Sequence, residues 1–484
     1  MIGKIASRFG INWDNVGDGA IQGGGIDAVD QSGKRRRPSG STRSLDAEVN
    51  DYKRKRITLT SRSVHRNFEV PAWAIRKHLD FVSRFSFSMK SDIPAFNEDV
   101  EGFMKWWARA ENCSSDGRLS LGKSIRLAEA SRTLDGDVFF LKLGSGQIQA
   151  IEGDRIKTPS NRRDRTFDRD NTYNGIEVNP RNGKPGRYAV HARGKGGTGL
   201  EFDKWIRASR IIPHGYFDRF DQYRGYSPVT ASLNRYQDSY EGLDYALARA
   251  KVAQLFGLVF TRDVEEQGMG KRTGEDTSGD GNPDRWTTAV AGKNHLLDMD
   301  PGEDAKFLEN KTPAPEFQKF QSMMIGVALK SLDLPYSFYD ASVGNFFGNK
   351  AELTLYLQSV REKREDVKNL LRLLTIWRLR LAIEDGDIIV PRSIRTLDDF
   401  KFQWTPAGIP WFDPRDIRGD IDAIKAGLRT REEVRQDRFG DSWTHDVAPQ
   451  LRNEQNLIEE LELRLTMEAD PFVDPRDSTI IDVE

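Results

Sequence analysis

The sequence predicts an α+β protein in which a body of helices and strands is joined to unusually long helices. Three observations carry this. Apolar residues recur at steps of three and four over residues 224–254 and 351–383, runs much longer than an ordinary helix. Residues 147–226 switch to short alternating runs separated by turn residues, which reads as strands. The 484 residues are 37% hydrophobic and 30% charged, enough apolar material for the cores of two to four domains with much wet surface.

Residues 1–50 read as a poorly ordered arm, Gly-rich from Gly17 to Gly25 and then polar and basic. Two basic clusters follow, Lys34-Arg35-Arg36-Arg37 and Lys53-Arg54-Lys55-Arg56. They are either a solvated arm that docks on an acidic neighbour or a peripheral contact with nucleic acid or a capsid. Few aromatic residues interleave them, which favours the first. Order is expected from Tyr52. Phe85-Ser86-Phe87-Ser88-Met89 alternates as a half-buried strand. Residues 97–111 form an aromatic-rich helix with Trp106 and Trp107, residues 121–133 another, and Val138 to Leu143 a strand after the turn Asp135-Gly136-Asp137. Gly175 to Asn179, the turn Asn182-Gly183 and residues 187–191 spell a hairpin.

Ser227 is placed to cap the first long helix and Pro228 to sit in its first turn, where a missing N–H costs nothing. Leu233, Tyr236, Tyr240, Leu243, Leu247 and Ala250 share one face, and only Gly242 weakens the run. About 27 residues make a rod of roughly 40 Å. Residues 256–312 read as a small mixed module. Its stretch Asp276 to Asp284 resembles part of a calcium loop but has Thr287 where the last ligand belongs, so a polar loop is the better reading. Residues 316–332 form a helix carrying Phe317, Phe320, Met323, Met324 and Val327. Residues 336–350 are an aromatic loop, and residues 351–383 a helix of roughly 50 Å. Residues 415–426 are helical, with Gly427 at the C-cap and Thr430 capping a second helix from Arg431, and a charged helical region runs from Glu432 to about Met467. Residues 470–484 are acidic.

No catalytic, cofactor or metal set emerges. The single cysteine, Cys113, excludes a disulfide framework and multi-cysteine metal sites and reads as a buried thiol. No apolar run approaches the ~20 residues of a membrane span, and no secretory signal is evident, which points to assembly in a reducing cytoplasm. The net charge of −1 gives no global basic field. Gly117 to Ser124 has the spacing of a phosphate-binding loop, but an aromatic helix precedes it where the chemistry needs a buried strand. His214, at a strand end, reads as a hydrogen-bonded structural residue.

Several short motifs resemble the lambda-type portal proteins of tailed phages. They are Asp135-Gly136-Asp137 before a strand, Asp154-Arg155-Ile156 at a strand end, His214 followed by Arg224-Gly225-Tyr226-Ser227-Pro228 and a long helix, Trp411-Phe412-Asp413-Pro414, and Gly427-Leu428-Arg429-Thr430. The resemblance runs over about residues 60–440. It implies a portal-type α+β subunit, assembled as a ring that is usually of twelve copies. After the arm it implies a wing (51–226), a first stem helix (227–255), a clip (256–312) and a second stem helix (313–334). A tunnel loop (335–350), a long spine helix with wing return (351–412), a helical crown (413–470) and an acidic tail (471–484) complete the subunit.

The implied function is passage of double-stranded DNA into and out of a virion at one capsid vertex. The implied partners are the terminase, head-completion or adaptor proteins and the major capsid protein, with no membrane and no enzymatic activity. Asn345, Asn349 and Lys350 are then either the residues nearest DNA or part of a loop that only packs on the neighbouring subunit. The competing readings are a metal-dependent nucleic-acid-processing enzyme and a helical scaffold or adaptor without a channel.

Overall fold

The computed structural model describes residues 43–159, 167–197, 199–255, 258–262, 303–307, 315–395, 400–408 and 414–460. Lys34 to Arg37, the calcium-like loop, Trp411 to Asp413 and the acidic tail lie outside them.

Described structure begins earlier than Tyr52. Ser44 caps a short helix, α1 (Leu45–Glu48), and Asn50 caps α2 (Asp51–Asn67) by accepting from the Lys53 N–H. Then follow α3 (Glu69–Val82), β1 (Phe85–Met89), α4 (Pro94–Trp107), α5 (Ala110–Cys113) and α6 (Leu121–Asp135). The aromatic helix therefore stops before Ala108, and its expected last turn is the separate α5. Ser120 caps α6, and Gly136 at φ +98° ends it.

The strands β2 (Asp137–Lys142) and β3 (Ile148–Glu152) form a hairpin. Then come β4 (Thr172–Tyr173), β5 (Ile176–Val178), β6 (Pro185–Arg193), β7 (Leu200–Arg207) and β8 (Ile211–Gly215). Two antiparallel sheets result, ordered β3-β2-β8 and β4-β5-β6-β7. β2 is central in the first and organises the body. Side chains alternate across a strand, so Val138 and Phe140 join the large helical core while Phe139 and Leu141 join a smaller core with Ile151, Tyr188 and Ile206.

The first long helix opens with a 3₁₀ turn, Pro228–Ser232, and continues as α7 (Leu233–Leu255). Ser227 makes no cap hydrogen bond. Its hydroxyl donates instead to the Thr133 carbonyl at 2.6 Å and ties the helix entry to α6. The strands β9 (Leu258–Arg262) and β10 (Glu303–Phe307) pair antiparallel, and α8 (Pro315–Leu329) returns along α7. Ser239 Oγ donates to Gln321 Oε1 at 2.7 Å, and Gln321 Nε2 donates to the Ser239 carbonyl at 3.2 Å. Gly242 is explained by the same side chain, because a Cβ there would lie 2.7 Å from Gln321 Nε2.

α9 (Phe346–Asp385) is 40 residues long, about 60 Å. It starts five residues before the expected Ala351, so the last part of the expected loop is its first turn. Val360, Val367, Leu370, Leu374 and Leu379 bury one face in the large core, where α9 packs on α3, β8 and β11. β11 (Phe402–Pro406) then pairs with β1 from Phe85↔Pro406 to Met89↔Phe402.

The C-terminal helices are α10 (Pro414–Lys425), α11 (Arg431–Arg438) and α12 (Ala448–Glu460). Thr430 and Glu433 form a reciprocal capping box at the start of α11. The expected continuous charged helix is broken at Phe439-Gly440 and by a π-turn at Trp443–Val447.

Candidate functional site

Two parts of the chain bear on function: the junction where the long helices leave the body, and the end of α9 that carries the expected DNA-facing residues.

The junction is built on buried charge. Arg224 is 1% exposed and uses every guanidinium N–H. Nε donates to Asp137 Oδ2 at 2.7 Å and Nη2 to Asp137 Oδ1 at 2.9 Å. The remaining donors reach the carbonyls of Gly153 at 2.7 Å, Ile156 at 2.5 Å and Asn174 at 2.8 Å. One residue thus clamps both sheets, and Asp137 is held below the usual carboxylate range by Arg224 despite its burial. Gly225 follows because nothing larger fits, since a Cβ would meet the Gly136 carbonyl at 2.1 Å. The motifs Asp135-Gly136-Asp137 and Arg224-Gly225-x-Ser227 are two halves of one contact. Asp46 completes it, accepting from the Tyr223 N–H at 2.6 Å and the Arg224 N–H at 3.3 Å.

A second buried cluster lies beside it. Glu129, fully buried, receives His78 Nε2 at 3.0 Å, His214 Nε2 at 3.1 Å, Arg132 Nη1 at 3.1 Å and the Tyr216 hydroxyl at 3.3 Å. Arg132 also stacks 3.7 Å above the Tyr216 ring and reaches Asp366 on α9 at 2.5 Å. Burial holds both imidazoles below their ordinary value, while Arg132 and the histidines hold Glu129 well below its own. Both Nε2 atoms are spent on the carboxylate, so this is a structural knot joining α3, α6, β8 and α9. The structural reading of His214 is the observed one.

At the start of α9, Asn345 is exposed and its side chain caps the helix, accepting from the Gly348 N–H at 2.7 Å. Asn349 Nδ2 donates to the Ala341 carbonyl at 3.5 Å. The Lys350 ammonium forms an ion pair with Asp416 at the start of α10. The structure therefore brings all three residues to one helix end and gives each a local partner. Phe346 and Phe347, which sequence reasoning passed over, stand exposed beside them.

Among the basic residues of α2, Lys53, Lys55 and Arg56 are exposed. Arg54 corrects the expectation of a uniformly exposed cluster. It is 9% exposed, donates to the Gly225 carbonyl at 2.7 Å and lies 3.9 Å from Asp137. Helical periodicity turns one residue of four inward, and burial beside Arg224 lowers its pKa to about 10.

The phosphate-loop spacing has no phosphate-loop structure. α5 and a turn precede it, and the side chain and backbone N–H of Arg118 both donate to Asp116. Cys113 is buried, and its thiol is pushed up to about 12. Among the described residues no group of three or more His, Cys, Asp or Glu is placed to hold a metal ion. No described helix is long and apolar enough to cross a membrane.

Comparison with known families matches residues 32–342 to phage portal protein, lambda family. The chain belongs to the lambda family of phage portal proteins. The junction just described lies inside the match and explains in physical terms the motifs Asp135-Gly136-Asp137 and Arg224-Gly225-Tyr226-Ser227. No curated protein matches the chain. Among solved structures, a chain described as "Virion of native gene transfer agent (GTA) particle" aligns at 13% identity and TM-score 0.40, covering 78% of this portal-family chain and 92% of its own. A second, "Neck of native GTA particle computed with C12 symmetry", aligns at 12% identity and TM-score 0.41, with 82% and 95% covered.

Proposed function

We propose that this chain is the repeating subunit of a ring, of about twelve copies, set at one vertex of a virion capsid, through which double-stranded DNA is packaged and ejected. Family membership supports the reading, and the observation that carries it is the apolar outer surface of the α7/α8 pair. Leu243, Leu247, Phe320, Met323 and Val327 are each 43–57% exposed. Rows of large apolar side chains on a protein surface mark an interaction face, and side-by-side copies of this chain would cover them.

In this reading α7 and α8 form the stem. The module between them is the clip, which docks the terminase motor and later the head-completion or adaptor proteins. The C-terminal helices form the crown, and the major capsid protein surrounds the ring. The exposed end of α9 at Asn345, with Asn349 and Lys350 one turn on, faces the channel. A channel that passes duplex of any sequence needs weak backbone contacts and no base readout. The chain supplies no catalysis in this scheme, and a separate motor drives DNA movement.

Negative-stain imaging of the purified chain together with its mass in solution tests the assembly. Rings with a central hole at about twelve times 55.0 kDa are expected. A monodisperse monomer at every salt concentration would sink the proposal.

A further inference from the structure

A cleft of about 450 Å³ opens between α2 and the chain segments that follow β3 and precede β7. Tyr52, Leu59, Ile156 and Leu200 supply apolar wall, and both Tyr52 and Leu59 are mostly exposed. Cations outnumber carboxylates around it. Arg62 and Arg193 are already paired with Glu152 and Asp154. Lys55 and Lys157 also line the cleft, and neither has an ion-pair partner among the described residues.

Three polar atoms of this wall are buried without a hydrogen-bond partner: Arg54 Nε, Asp51 Oδ1 and Asp154 Oδ1. None of the three is accessible from the cleft, so an occupant meets the exposed Lys55, the half-buried Lys157 and the apolar wall. A phosphodiester would answer the lysines but leave the exposed Tyr52 and Leu59 uncovered. An extended peptide offers N–H and C=O at every residue, and acidic side chains on it would suit Lys55 and Lys157. An apolar side chain of the same peptide would cover Tyr52 and Leu59.

The chain holds a segment of this composition. Residues 468–484 carry Glu468, Asp470, Asp474, Asp477, Asp482 and Glu484 against the single Arg476, interleaved with Phe472, Val473, Ile480 and Ile481. We propose that the cleft is the docking site for this acidic segment, from the same or a neighbouring copy. It rests on the cleft alone and stands whether or not the chain forms a portal ring.

The test is a full-length chain with p-benzoylphenylalanine in place of Phe472, irradiated and mapped by mass spectrometry. Cross-links should fall in residues 51–62 and 153–157. They should drop by about tenfold in K55E/K157E, because like charges then face each other and repel, and less in the milder K55Q/K157Q. A synthetic peptide of residues 468–484 should compete them away, and the same peptide with every carboxylate amidated should not. Cross-links that map elsewhere, or that survive both double variants, would overturn the proposal. So would cross-links that resist the peptide but vanish with duplex DNA, an outcome that assigns the cleft to phosphate.

Discussion

The body and the paired helices α7 and α8 solve opposite packing problems. In the body, large apolar side chains point inward: Trp107, Phe140, Leu374 and Leu379 are at most 1% exposed. Nearer the body Tyr236 and Ile325 of the paired helices are buried, but further along α7 small and polar side chains are covered and several large ones are exposed. Ser239 and Gln321 are buried at the crossing, Gly242, Ala246 and Ala250 are half-buried, and Tyr240, Leu243 and Leu247 are exposed. The body is a finished core. The helix pair reads as half of one, with an apolar surface left exposed among the described residues. Periodicity alone shows that an amphipathic helix has an apolar face. It does not show whether that face meets its own chain or a neighbour.

Substitutions separate the two regions. The largest effect is expected at the junction between them. Arg224→Met leaves Asp137 buried with only the more distant Arg54 guanidinium and the Gly225 N–H beside it, and should cost about 3–5 kcal/mol of stability in urea unfolding. A loss under ~1 kcal/mol would mean that the clamp is not what joins the regions. Leu374→Ala removes a core side chain that is fully buried and should cost about 2–5 kcal/mol.

Acidification should weaken the body next. His78 and His214 sit below their ordinary 6.5 in the fold, so the unfolded chain binds more protons. Their contribution is present above pH 6.5 and is lost as pH falls below it, by at most about 1.4 kcal/mol per unit for each histidine. Glu129, also depressed, adds a further loss below its ordinary 4.5. The urea midpoint should fall between pH 7 and pH 5, and H78Q/H214Q should flatten that slope. An unchanged slope would remove the histidines from the account.

The smallest effect on folding is expected at L247S/M323S, within about 0.5 kcal/mol for exposed positions. The same variant should show a clear loss of assembled mass by light scattering. Unchanged assembly would deny the helix pair its role as an interface.

Much of this was legible in the sequence, for reasons that can be stated. The long helices follow from uninterrupted 3.6-residue periodicity, the β5–β6 hairpin from Asn182-Gly183, and the cap at Thr430 from its place just after the Gly427 helix end. What was hidden was non-local. Nothing near Phe85 announces a partner strand at Pro406, and Ser227 looked like a cap because its acceptor, the Thr133 carbonyl, lies 94 residues away. The candidate site was legible only as motifs. Arg224 and Asp137 were each noticed, but their pairing needs the fold. Arg54 was grouped with its exposed neighbours because charge counting carries no helical phase.

The long helix α9 has a mechanical consequence. Tyr356 is its first fully buried residue, so about ten residues, or roughly 15 Å, project beyond the core as a cantilever. Lys350 props that overhang against α10 through Asp416. Because no proline or buried glycine interrupts the helix, it bends little. A tilt of about 5° where it leaves the body would sweep the Asn345 end through roughly 1.3 Å over its 15 Å overhang. A push on that end would travel back along the rod to Asp366 and the buried Glu129 knot, so a load on the tip is felt in the middle of the body.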